Sequence, residues 1–393
     1  MRTLLLFLLL FLTPLTSLAA TVERIEIEGL KWTKKEFVER ELLLKPGDQF
    51  SEEKLRESVR NLLNTHLFYR VEPEVIKTKK GVIVKLRLKE RFPIVPLPKL
   101  RVKSSGAYRA GLELRDYNLL GMGHKLYIGY VKWFNSGFES YSAYSYLNLY
   151  RVIRERGNVY GGVYYFKDEG ETDGKTYSFK FLEFPVGVHF FLDERKVNQV
   201  SLGLTPSFLR YSNLLRDKNI YYLDFSYVRD LSTDMVYFVK GGVFSLKLRT
   251  SLPQLSDLST GSLELSYKNS VPIAGTETKN YRLGMGTKLG YSGEGYRLRA
   301  PVPGYTGEKL ETKRYIYGSY GYRIPVIDRS VYFSPELYAG NLFRGRKGLL
   351  LSGGFELTAF WAKLVDGIIR FKLFRGLGRG SDTQTSLRLT FRW

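Results

Sequence analysis

Three histidines, His66, His124 and His189, supply all the imidazole in the chain, and there is no cysteine. Nucleophilic or metal chemistry would need such groups to converge with a hydroxyl, a thiolate or carboxylates. They fall in unrelated stretches: His66 ends a helical apolar stripe, His124 begins an alternating segment, and His189 sits inside another and faces its polar side. No Gly-x-Ser-x-Gly elbow occurs, and the glycine-rich run 376–382 lacks the Lys-Ser/Thr of a phosphate loop. The sequence predicts no enzyme, no cofactor and no metal site, with His66 a helix-end packing residue. The formal net charge of +22 over 393 residues suits an anionic partner or surface. Aromatics at 15%, led by 29 tyrosines and 25 phenylalanines, suit strands and membrane interfaces.

The elements that carry these residues begin with an export signal. Arg2 precedes an unbroken apolar run, Leu4 to Leu12, too short to span a bilayer as a helix. Thr13-Pro14 breaks it, and Ser17 to Ala20 offers small residues for cleavage, so 1–20 reads as a signal peptide. Residues 21–92 read as a β-α-α-β-β domain. "VERIEIEGL" alternates and stops at Gly29; Thr33 with Glu36 reads as a capping box; Ser51 with Glu52 and Glu53 opens a second helix. Two strands follow, separated by a turn at Thr78 to Gly81. This segment resembles a POTRA domain, the periplasmic module of the BamA/TamA superfamily of outer-membrane assembly and transport proteins. The resemblance rests on Ile27-Glu28-Gly29, Leu44 to Asp48, Leu62-Leu63-Asn64 and Leu67-Phe68. It implies that an exposed sheet edge binds extended clients. We place that edge at Tyr69, Val71, Glu74 and Val75, interrupted by Pro73.

From residue 93 to 393 helical periodicity disappears. Alternating segments separated by short Gly/Asp/Asn/Ser/Lys turns predict a transmembrane antiparallel β-barrel of about sixteen strands, making the fold class mainly β. The run 111–126, with Asp116, Asn118, Gly121 and Gly123, looks like the family's turn between strands two and three. Residues 320–326 and 336–343 look like its strands twelve and thirteen. The stretch 293–311 would be the sixth outer loop, which in the family folds into the lumen on an Arg-Gly-Phe/Tyr motif. Gly295-Tyr296 match it and Glu294 stands at the arginine position. Gly321 and Tyr338 replace the acidic residues that the family would place opposite, so Glu294 is expected to pair with Arg323 or another luminal arginine. The final strand, with Leu387, Leu389, Phe391 and Trp393 on one face, resembles the family's C-terminal assembly signal.

The resemblance implies an outer-membrane factor that inserts or translocates polypeptides. Its partners would be the lipid bilayer, unfolded outer-membrane or secreted clients, and periplasmic or lipoprotein accessory subunits, with no nucleic acid. Pro96 and Pro98, ahead of Leu100, lack N–H groups on one side of strand one, so the seam with strand sixteen is expected to be weak. A two-partner-secretion transporter is the alternative, though that group usually carries two POTRA domains and a plug helix. A passive porin would leave the POTRA domain without a role.

Overall fold

The computed structural model describes residues 20–102, 108–134, 137–154, 156–172, 175–212, 216–235, 237–291, 297–305, 310–344, 348–361, 367–378 and 381–391. The expected signal peptide lies outside them except for Ala20.

The first unit runs β1 (Val22–Glu28), α1 (Lys35–Glu41), α2 (Glu52–Asn64), β2 (Phe68–Lys77) and β3 (Val82–Glu90). Its sheet order is β1-β3-β2, with β1 parallel and β2 antiparallel to β3. The inward residues of β3 (Val82, Val84, Leu86, Leu88) pack on Phe37 and Val38 of α1 and Leu55 and Leu62 of α2. The Ser51 hydroxyl accepts from the Lys54 amide at 3.3 Å, and Glu52 and Glu53 occupy the first turn of α2, where the helix dipole favours them. The start of α1 departs from the expected capping box. The residue before the helix is Lys34, with no side-chain cap. Thr33 instead accepts a hydrogen bond from Asn118 of the barrel at 2.9 Å, and the Lys34 amide donates to the Gly121 carbonyl at 2.9 Å. A tertiary contact takes the place of the local cap.

The second unit is a closed sheet. Its strands are one (Ile94–Val102), two (Tyr108–Leu119), three (His124–Phe134), four (Ser140–Ile153), five (Gly157–Thr172), six (Lys175–Glu183, resuming as Val186–Phe191), seven (Asn198–Ser212) and eight (Lys218–Asp230). Then come nine (Val239–Ser251), ten (Thr260–Pro272), eleven (Thr278–Gly290), twelve (Arg314–Ile327), thirteen (Val331–Asn341), fourteen (Leu349–Trp361), fifteen (Gly367–Gly376) and sixteen (Thr383–Phe391). Strand six breaks at Phe184-Pro185 without losing register: Glu183 faces Ser207 and Val186 faces Leu204. Each strand pairs with the next, and sixteen pairs with one. Closure leaves no unpaired edge in lipid.

Alternation sorts the two faces. Leu112, Leu114, Ile128, Tyr130 and Leu337 point outward and are exposed. Glu113, Arg115, Asp224, Arg249, Arg282 and Glu336 point into the lumen and pair there. Arg115 and Lys99 both reach Glu113, and Arg249 Nε lies 2.6 Å from Asp224. An apolar belt around a polar interior is the pattern of an outer-membrane barrel.

Candidate functional site

The small domain docks against the turns that follow strands two, four, six and eight. At the first of these, Gly121 and Gly123 take positive φ values of 73° and 72°. A Cβ on Gly123 would stand 2.3 Å from the Phe37 ring, and one on Gly121 2.7 Å from the Trp32 carbonyl. Glycine is needed here for both conformation and close approach. At the next two turns a fully buried carboxylate, Glu41 at the end of α1, receives Arg151 Nη1 at 3.0 Å, the Tyr150 hydroxyl at 3.0 Å and the Lys196 ammonium. Arg60 on α2 spans two turns by donating to the carbonyls of Arg195 (2.8 Å), Asp230 (2.8 Å) and Ser232 (3.3 Å). Arg195 also pairs with Glu53 at 2.7 Å.

His66 lies just past α2 with φ of 62°, and its Nδ1 is 3.1 Å from Asp234 in the turn after strand eight. Burial holds its imidazole below the usual value of 6.5, against the hydrogen bond to the Asp234 carboxylate, which raises it. The residue is thus an interface contact as well as a helix end. The other two histidines are elsewhere: His124 accepts from the Tyr150 amide at 2.9 Å, and His189, luminal as expected, lies 2.7 Å from the Ser201 hydroxyl. Among the described residues no cluster of acidic and imidazole groups is arranged to hold a metal ion. Between α2 and the inner wall lies a polar cavity of about 490 Å³, lined by Asn61, Asn64, Lys125, Tyr146, His189 and Asp230 among others.

The seam follows from one bond. The Tyr117 amide donates to the Pro93 carbonyl at 3.0 Å, and the register of strands one and two sets Pro96 opposite Leu114 and Pro98 opposite Leu112. Backbone groups alternate sides along a strand. The odd residues of strand one therefore address strand two, and Pro96, Pro98 and Leu100 address strand sixteen. On strand sixteen, Leu387, Leu389 and Phe391 pair with Phe371, Ile369 and Gly367 of strand fifteen; Trp393 lies outside the described residues. In the small domain β2 is an edge, bonded only to β3 in its sheet. Tyr69 and Val75 are exposed on it, and Glu74 pairs with Arg87 of β3 at 2.8 Å. Val71 packs against the domain core.

The described part of the sixth loop is anchored in the barrel through Ala300, Val302 and Tyr305. Glu294, Gly295 and Tyr296 lie outside the described residues. Ala300, Val302 and Tyr305 are buried against Tyr315, Tyr338, Leu342, Leu350 and Phe374. The Tyr305 hydroxyl donates to the Leu351 carbonyl at 2.7 Å and accepts from its amide at 3.1 Å. Gln384 of strand sixteen donates to the Tyr305 carbonyl at 2.8 Å and accepts from the Gly304 amide at 3.2 Å. Arg323 stacks on Tyr332, 3.9 Å from the ring centroid, and its Nε and Nη2 have no hydrogen-bond partner among the described residues. The acid at the strand twelve and thirteen position is Glu336. It lies 3.6 Å from Arg282, accepts from Tyr338 at 2.6 Å and fills the space beside Gly321.

Sequence reasoning missed Glu41 and the Gly304-Tyr305 anchor. Each left a trace. Glu41 lies three and four residues after the apolar pair Val38 and Phe37, so it puts a charge on a helix's buried stripe. Gly304-Tyr305 is a second Gly-aromatic pair in the same loop.

Residues 20–91 match the POTRA family, described as a surface antigen variable number repeat. A Treponema pallidum protein named as an outer membrane protein assembly factor is 32% identical over 157 residues, a match covering 33% of this chain and 19% of that protein. The chain therefore accounts for less than a fifth of that relative. BamA from Haemophilus ducreyi lacking POTRA domains 1–3 superposes with a TM-score of 0.58 at 15% identity, over 94% of this chain and 84% of that one. CdiB from Escherichia coli gives 0.69 at 11% identity, over 94% and 76%. CdiB from Acinetobacter baumannii gives 0.62 at 13%, over 94% and 74%.

Proposed function

We propose that this outer-membrane chain, whose periplasmic POTRA module and sixteen-stranded barrel give it the architecture of the BamA/TamA superfamily, inserts polypeptides into the membrane through the seam between strands one and sixteen. The observation that carries the reading is the placement of Pro96 and Pro98, whose missing donors face strand sixteen. Strand sixteen thus offers carbonyls that strand one cannot satisfy. In lipid, a client strand with free N–H groups is the natural partner for them. The β2 edge of the POTRA module would hold such clients in extended form beforehand.

A lateral route suits the described residues better than one through the lumen. The small domain covers the turns below strands two to nine, and loop six lies against strands twelve to sixteen. The test is reconstitution into phospholipid vesicles, followed by addition of an unfolded outer-membrane barrel protein. Folding of that client, read as a gel-mobility shift, is expected to accelerate. A double Pro96→Ala, Pro98→Ala variant should accelerate it less. No acceleration by the parent chain would refute the insertion reading.

A further inference from the structure

At the foot of strand one, beside the seam, four apolar side chains from three segments lie open to solvent. Trp32 comes from the β1–α1 loop, Phe92 and Ile94 from the end of the link and the first residue of strand one, and Leu120 from the turn after strand two. Leu120 is 71% exposed, Phe92 54%, Ile94 43% and Trp32 42%. The Trp32 and Phe92 rings meet edge to face, 5.5 Å between centroids.

The patch is held firmly. Glu90, at the end of β3, accepts from the amides of Lys31 (2.6 Å), Trp32 (2.9 Å) and Thr33 (2.9 Å), which fixes the loop that carries the tryptophan. The same loop is tied to the barrel turn by the bond from Lys34 to Gly121, next to Leu120. A water-soluble face would gain nothing from this rigid display of Trp, Phe, Ile and Leu.

Two features identify what covers it. Phe92 continues the outward alternation of Ile94, Pro96 and Leu100 along strand one, so the patch is continuous with the lipid-facing belt. Lys31 and Lys34 are exposed in the same loop, with Lys35 next to them at the start of α1 and paired with Glu39, and they suit anionic phosphates at headgroup level. Tryptophan itself favours that boundary. We propose that Trp32, Phe92, Ile94 and Leu120 insert into the periplasmic leaflet of the bilayer that holds the barrel. The POTRA module is thereby moored to phospholipid directly under the strand that bears the seam prolines.

The inference goes beyond polypeptide insertion and is tested without a client. The full chain and its Trp32→Phe variant are placed in vesicles containing phosphatidylglycerol, with plain or brominated acyl chains. The difference between their emission spectra isolates Trp32 from the three other tryptophans. That difference signal should be largely lost in brominated lipid and be shielded from aqueous acrylamide. Quenching by acrylamide but not by bromolipid would mean open solvent. Protection from both would mean a protein face, such as a second copy of this chain. Either result overturns the proposal. Because the chain has no cysteine, Leu120→Cys carries a single environment-sensitive nitrobenzoxadiazole label as an independent readout. Its emission should shift to the blue and be quenched by bromolipid, and a solvent-like spectrum would also overturn the proposal.

Discussion

The Glu41 carboxylate, fully buried at the end of α1, sits 3.0 Å from the Arg151 guanidinium at the base of barrel strand four. It belongs to one unit and its cationic partners belong to the other, so the pair reports directly on docking. Removing one member of a buried pair leaves the other uncompensated, at a cost of about 3–5 kcal/mol. Glu41→Gln should therefore release the small domain from the barrel while leaving each unit folded. Hydrogen exchange should rise in α1 and in the turn 192–197, and the barrel strands should keep their protection. Unchanged exchange in both segments would show that the buried pair does not hold the interface.

The second docking contact should respond to acid. His66 faces Asp234, with Lys125 and Arg91 also close enough to act on it, and burial depresses its folded pKa below 6.5. The undocked, solvated imidazole takes up a proton at a higher pH than the docked one. Docking is thus strongest above 6.5 and weakens as pH falls through the interval between the two values. Exchange at Thr233 and Asp234 should increase on acidification across that interval, and His66→Gln should flatten the response.

The strands were legible because a barrel in lipid imposes strict alternation, and the closed sheet has the sixteen strands that the pattern predicts. Leu182, Phe184, Val186 and Val188 even keep one face across the proline that breaks strand six. The docking interface was much less legible. Thr33 with Glu36 satisfies a local rule for a helix start, but the hydroxyl binds Asn118, 85 residues away. On α2 the buried positions include Ser58 and Asn61, which an apolar stripe does not predict. Ser58 accepts from the Leu43 amide at 2.8 Å, and Asn61 donates to the Glu41 carbonyl at 3.4 Å. Polar side chains that serve backbone groups from distant segments carry no local periodicity. Loop six shows the same limit: Tyr305 is buried against residues of strands thirteen to fifteen that lie far from it in sequence, a contact no local pattern announces.

Tyr305 gives a test of that anchor. Its hydroxyl serves both the amide and the carbonyl of Leu351, so Tyr305→Phe removes two bonds while retaining the ring. The Leu351 carbonyl still accepts from the Leu377 amide at 2.6 Å, so the Leu351 amide is the group left without this partner, at a cost of about 1–3 kcal/mol. Gly304 is the more severe position, since its φ is 83° and a Cβ would stand 2.4 Å from the Gly376 amide nitrogen. The temperature at which the folded barrel loses its compact gel mobility should drop for Tyr305→Phe and drop further for Gly304→Ala.

The β2 edge predicts a crosslinking pattern. A photo-crosslinker at Glu74 points from an exposed edge strand, whereas one at Leu62 is buried in the domain core. With an unfolded client present, adducts should form at Glu74 and be scarce at Leu62. Equal yields at the two positions would count against capture along the edge.

The seam makes the sharpest statement about a single backbone direction. Pro96 and Pro98 turn their nitrogens to strand sixteen, and Val95 and Leu97 turn theirs to strand two. The double variant Pro96→Ala, Pro98→Ala supplies two new donors on the seam side without altering the strand-two ladder, because the proline nitrogens take no part in it. Each added bond contributes about 1 kcal/mol net, and more where lipid excludes water. The new amides should be slow to exchange, the barrel should resist heat better than the parent, and client folding should slow in proportion. Fast exchange of the two new amides in the variant would mean that strand sixteen does not receive them, and the seam would have to be sought elsewhere. The control is Val95→Pro, which removes a donor from the strand-two side: it should weaken the barrel without relieving the deficit at the seam.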